Sequence, residues 1–164
     1  MIGDHEEDYR KGCQRALRES RMAAVVGQIS GVVQVYNAFA ANNTVYIVME
    51  YVEGRTLTSY VEEHGNRLDL PEALQLLAPV AAALTQLHRT DVVHRDVKPD
   101  NIMIRSKDQQ SVLLDFGAAR IADDRTLSSS AAIVSAGYAP VEQYNLSSLD
   151  GRIDQYALAA TLLH

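Results

Sequence analysis

The apolar positions of the chain fall into runs of two different periods. Between Tyr9 and Val26, the spacing of Ala16, Leu17, Met22, Ala23 and Val26 suits a helix, and "QISG" breaks it. The runs "VVQVYNAFA" and "TVYIVMEYV" are rich in β-branched and aromatic residues. With the turn residues "ANN" between them they predict a β-hairpin, and Gly54 is expected to end its second strand. "TLTSYVEEHG" predicts a short helix closed by Gly65. The next helix starts on Asp69 as N-cap, with Glu72 at capping-box spacing, and should run to about His88. Pro79 lies inside it, where a missing backbone bond costs roughly 3 kcal/mol in an exposed helix, so a kink or a buried compensation is expected. Two short strands follow, "NIMIR" and "SVLLDF", separated by the polar turn "SKDQQ". From Ala119 to Ser135 no period is sustained, which predicts a mobile loop.

No internal repeat or long linker interrupts this series, so the chain reads as one domain or a piece of one. Its 164 residues, 47% of them hydrophobic, suffice for one core or part of a larger one. A formal net charge of -6 argues against nucleic acid or an anionic membrane as a general partner. Cys13 is the single cysteine, which excludes an intrachain disulfide and a cysteine-built zinc site and fits a reducing compartment. The start, "MIGDHEEDYRKGC", is acidic where a secretory signal is basic and then apolar. The apolar stretch Leu76 to Leu84 is too short to span a bilayer, so a cytoplasmic location without a membrane segment is expected.

The densest chemistry stands directly after the long helix. "HRDVKPDN", residues 94–101, sets two aspartates, an arginine, a lysine and an asparagine within eight positions. Phosphoryl transfer needs this mixture: a group that orients the attacking hydroxyl, a cation for the moving phosphoryl group and oxygen ligands for Mg²⁺. Fourteen residues after Asn101 stands Asp115 of "DFG", and "GYAPVEQY" follows at 137–144.

These three motifs in this order, preceded by "VYIVMEYVEG", resemble the catalytic loop, metal-binding loop and activation-segment end of a eukaryotic-like (Hanks-type) bacterial serine/threonine protein kinase. The resemblance implies an incomplete α+β protein-kinase-like fold. Its parts are a partial small lobe of a helix and a hairpin, to about residue 51, and the hinge with the first, mostly helical part of the large lobe over 52–164. Asp96 would orient the substrate hydroxyl, Lys98 would neutralise the transferring phosphoryl group, and Asn101 and Asp115 would bind Mg²⁺. Ser135 takes the place of a threonine that bridges the catalytic aspartate and lysine.

ATP would meet the hinge. By resemblance Met49 lines the back of the adenine pocket, the Glu50 carbonyl and Val52 amide bond the base, and Met103 forms the floor; both methionines fit plain core packing equally well. His94 and Phe116 would belong to an internal apolar stack with Ala23 and Val35, based on Asp154. His88 reads as a satisfied core histidine. Arg95 resembles the arginine that pairs with a phosphorylated activation loop, for which Thr126, Ser128, Ser129 and Ser130 are candidate self-phosphorylation sites. The same serine run also suits a solvated loop. The lysine of "DVKPDN" implies a protein substrate with a serine or threonine acceptor.

Two family features are missing. Glu19 resembles the glutamate that pairs with a small-lobe lysine, yet Lys11 stands only eight residues before it, too near to be that lysine, and no "GxGxxG" occurs. Glu142 would ordinarily bind an arginine on a later helix. The expectation is therefore a kinase domain represented in part, with a catalytically inactive kinase-like binding or scaffold module, or an unstable remnant, as alternatives. Alone, the chain is expected to transfer little phosphate.

Overall fold

Local pairing accounts for most of the strands. The computed structural model describes Val26 and residues 28–42, 44–116, 119–121, 135–145 and 150–163. Strands β1 (Val35–Ala41) and β2 (Thr44–Met49) form the expected antiparallel hairpin, from Ala41 opposite Thr44 to Val35 opposite Met49, with an irregularity between Val35 and Asn37. Val26, the described residue of the predicted first helix, is helical and buried, whereas Glu19 and Ala23 lie outside the described residues.

Gly54 does not end β2, which stops at Met49. It opens a third strand instead, β3 (Gly54–Thr56), paired antiparallel to β5 (Ile102–Arg105). The reason is steric: a β-carbon at Gly54 would lie 2.1 Å from the Ile104 carbonyl oxygen, so only glycine lets the two backbones approach. β5 pairs in turn with β6 (Ser111–Leu113), so the two strands expected on either side of "SKDQQ" form a hairpin.

Helix α1 (Leu57–Glu63) starts on Thr56, whose hydroxyl accepts from the Ser59 N–H at 3.1 Å. Helix α2 (Leu70–Arg89) starts on Asp69, whose carboxylate accepts from the Glu72 N–H at 2.8 Å. The return half of the expected capping box is diverted, because the Glu72 carboxylate accepts from the Tyr60 hydroxyl at 2.6 Å and so ties α2 to α1. Pro79 lies within a continuous helix, and the carbonyl it leaves without a helical donor, that of Gln75, sits on the exposed face. By length and composition α2 is apolar enough to cross a membrane; Leu76, Leu77, Val80, Ala83, Leu84 and Leu87 bury one face of it in the core.

That core gathers α2, β4 (Val92–Val93), β5, β6 and helix α4 (Arg152–Leu163), with Val80, Ala83, Leu87, Ile102 and Leu113 fully enclosed. The segment Ala119 to Ser135, expected to be loop throughout, opens as a strand: β7 (Arg120–Ile121) pairs with β4. Short helix α3 (Val141–Asn145) follows the "GYAP" turn. The hairpin side joins the rest through backbone bonds from Val33 N–H to the Leu113 carbonyl and from Leu113 N–H to the Gly31 carbonyl. This is an α+β arrangement of small antiparallel sheets on helices, as the sequence implied.

Candidate active site

The loop between β4 and β5 is held from beneath by one carboxylate. Asp154, fully buried at the start of α4, accepts from the His94 N–H at 2.9 Å, from the Arg95 N–H at 2.8 Å and from His88 Nε2 at 2.8 Å. Three donors compensate the burial of its charge. His88 is thus partnered, though only partly buried.

His94 supports the loop from the side. Its Nε2 faces the Leu114 carbonyl at 2.9 Å, and its Nδ1 faces the Asp96 N–H at 3.3 Å. A carbonyl can only accept and an N–H can only donate, so the ring is neutral with its proton on Nε2. Burial pushes this imidazole below its ordinary range, against the pull of Asp154 and of the Leu114 carbonyl. Its ring meets Phe116 edge-on at 4.8 Å, and Val35 is buried in the same core.

The side chains predicted from "HRDVKPDN" converge. Lys98 Nζ donates to both Asp96 oxygens, at 2.9 and 3.2 Å, and Asn101 Nδ2 donates to Asp96 Oδ2 and to its carbonyl, each at 2.8 Å. Ser135, thirty-nine residues from Asp96, closes the cluster: its hydroxyl donates to Asp96 Oδ1 at 2.6 Å and accepts from Lys98 Nζ at 2.9 Å. Burial by itself would push the Asp96 carboxyl up. The Ser135 hydroxyl, the Lys98 ammonium and the Asn101 amide together outweigh it and hold the group below the usual carboxylate value.

A turn of 3-10 helix over Pro99–Asn101 sets this spacing, and Pro99 supplies its first position, where no N–H is needed. The Asn101 amide nitrogen is spent on Asp96, which leaves its oxygen as the atom available to a cation. Asp115 is exposed at φ +57, directly before buried Phe116. Among the described residues no three His, Cys, Asp or Glu side chains group as a metal cage. One amide oxygen and one carboxylate are nonetheless an apt set for Mg²⁺, which keeps few protein ligands and completes its shell from phosphate and water.

At the hinge, Val52 is buried and Met103 half-buried, whereas Met49 is 44% exposed. The Glu50 N–H donates to the Gln34 carbonyl at 2.7 Å, and its carboxylate pairs with Arg105 at 3.0 Å. Thr126 and Ser128 to Ser130 lie outside the described residues. A mixed cleft lined by Leu57, Val61, Asn66, Arg67, Leu77 and Leu162 shares no residue with the loop cluster.

Two contacts were not anticipated. Thr58 on α1 donates to the Asp100 carboxylate at 2.7 Å, and Gln143 Nε2 donates to the Arg95 carbonyl at 2.8 Å. Both join residues more than forty positions apart, and neither type of side chain signals such a partner locally.

The family described as protein kinase domain matches residues 2–164. The chain is 38% identical over 154 residues to serine/threonine-protein kinase PknB of Mycobacterium leprae, covering 90% of this chain and 24% of the relative. It is 34% identical over 149 residues to serine/threonine-protein kinase PknA of a Nostoc species, covering 87% and 26%. With serine/threonine-protein kinase PknF of Mycobacterium tuberculosis the identity is 36% over 139 residues, covering 81% and 29%. The chain thus spans about a quarter of the length of these curated relatives.

Proposed function

The chain belongs to the protein kinase domain family, and from that premise we propose that it is the hinge and catalytic-loop portion of a protein serine/threonine kinase. In this reading it serves transfer of the ATP γ-phosphate to a serine or threonine hydroxyl of a protein. The observation that carries it is the closed cluster of Asp96, Lys98, Asn101 and Ser135, drawn from two distant stretches of sequence around one carboxylate.

Each role follows from a contact. Asp96, ionised at neutral pH, is the acceptor that orients the substrate hydroxyl. Its oxygens offer about four lone-pair sites, and Ser135, Lys98 and Asn101 fill them with four contacts. A substrate hydroxyl therefore has to displace one partner. Lys98 is the candidate, because it is 22% exposed and its stem is flexible. Turning Nζ towards a phosphoryl oxygen would free a lone pair on Asp96 and bring positive charge to the place where negative charge develops. Ser135 and Asn101 would keep the carboxylate aimed meanwhile.

Asn101 and Asp115 are the residues that would hold Mg²⁺, which when bound neutralises phosphate charge. Met49, Glu50, Val52 and Met103 would receive the adenine, and Glu19 would face a lysine that these 164 residues do not supply. Self-phosphorylation at Thr126, Ser128, Ser129 or Ser130 and a cytoplasmic location belong to the same proposal.

The test is transfer of labelled phosphate from ATP to a basic protein rich in serine and threonine. The chain alone should transfer little, since no "GxGxxG" covers the phosphates. Joined behind the glycine-rich loop and lysine strand of a relative, it should transfer readily, and Asp96→Ala should abolish this. Transfer that survives Asp96→Ala would rule out the assigned role; none from the joined protein would favour the inactive binding module.

A further inference from the structure

Arg95, the residue before Asp96, takes φ +70, a left-handed conformation that a β-carbon disfavours. Its backbone is held at both ends. The N–H donates to Asp154 Oδ1 at 2.8 Å, and the carbonyl accepts from Gln143 Nε2 at 2.8 Å. Both side chains are buried, Asp154 completely and Gln143 to 1% exposure, and they come from different helices, α4 and α3. With the peptide on each side of Arg95 held, its φ and ψ cannot relax. The direction in which Asp96 leaves the backbone is therefore fixed before Lys98, Asn101 and Ser135 act on its carboxylate.

We propose that Gln143 is a positioning residue for Asp96, acting through the Arg95 carbonyl. It also gives the segment that ends in α3 a second hold on the loop: Ser135 bonds the Asp96 carboxylate, and eight residues later Gln143 bonds the backbone behind it. Loss of the Gln143 donor would leave a buried carbonyl unsatisfied and let Arg95 relax towards negative φ. The Asp96 N–H would then turn away from His94 Nδ1. The catalytic consequence rests on the kinase reading, but the geometric one does not.

The test measures hydrogen exchange at single backbone amides by NMR in the 164-residue chain. Gln143→Met keeps the volume and removes the donor. Protection of the Arg95 and Asp96 amides should fall about tenfold or more, while the Val80, Leu84 and Leu87 amides in α2 keep theirs. Gln143→Glu should behave like Gln143→Met at pH 8, where a carboxylate meets a carbonyl. It should regain protection as pH falls towards about 5, because burial at this position raises the carboxyl and a neutral carboxylic acid can donate to Arg95. The wild type, followed over the same range, accounts for His88, His94 and Asp154, which face the same loop. Unchanged protection at Arg95 and Asp96 would overturn the proposal, as would a parallel loss in α2 that acid does not reverse in Gln143→Glu. In the joined kinase, Gln143→Met should lower kcat and leave KM for ATP unaltered. Altered exchange in a joined protein that transfers no phosphate would uphold the positioning role and refute the kinase reading.

Discussion

Asp96 and His94 show how few residues fix the charge state of the loop. His94 is neutral because a carbonyl and an N–H occupy its two nitrogens and because burial disfavours the imidazolium. Its value in the folded chain lies below the ordinary one near 6.5, so the unfolded chain binds the extra proton first as pH falls. Stability should be whole above about pH 6.5 and decline below it, by at most about 1.4 kcal/mol per pH unit for this one group. Asp96 is depressed as well, so its contribution is present above the ordinary carboxylate value near 3.9 and is lost only below that. Urea melts from pH 8 to about 2.5 should therefore show two stages. His94→Gln should flatten the first; an identical slope between pH 7 and 5 in that variant would refute the assignment.

At the level of elements, what could be read from the sequence depended on how near a residue's partners lie. The β1–β2 hairpin and the Asp69 cap were legible because both are closed within a few positions. The role of Gly54 was not, since the Ile104 carbonyl that excludes a β-carbon there is fifty residues away, nor was β7, a two-residue strand too short to show a period. In the site, Asp96, Lys98 and Asn101 stand together in one motif, and Ser135 was found by resemblance. Gln143 stands within "GYAPVEQY", yet nothing local marks it as a donor to Arg95. The two glycines offer a direct comparison. Gly54→Ala drives a β-carbon into the Ile104 backbone and should cost about 1–3 kcal/mol or more while parting β3 from β5. Gly65→Ala meets no atom within 4 Å and should cost only the left-handed strain, about 1–2 kcal/mol. Thermal melts that ranked the two in the opposite order would contradict this account of β3.

The molecule as a whole carries a conflict between its site and its surface. Phe39 and Tyr46 stack at 5.3 Å on the hairpin, and with Tyr36, Ile47, Val48 and Met49 they are at least 42% exposed. Among the described residues the hairpin is a two-stranded sheet with open edges, and apolar side chains exposed on both of its faces promote association. On α4, Ile153, Ala157 and Thr161 are buried, and Tyr156 and Leu163 face outwards. Size-exclusion chromatography should accordingly show concentration-dependent self-association, reduced by Tyr46→Lys with Ile47→Lys. A monodisperse monomer at high concentration would count against it.

The central claim is that Asp115 and Asn101 present Mg²⁺-bound nucleotide to the cluster around Asp96. Calorimetric titration of the chain with ATP, with and without Mg²⁺, addresses it most directly, because it needs no turnover. The account predicts weak binding that requires Mg²⁺, falls about tenfold or more in Asp115→Asn, and persists in Asp96→Asn. ATP affinity that is the same without Mg²⁺, or the same in the two variants, would contradict it.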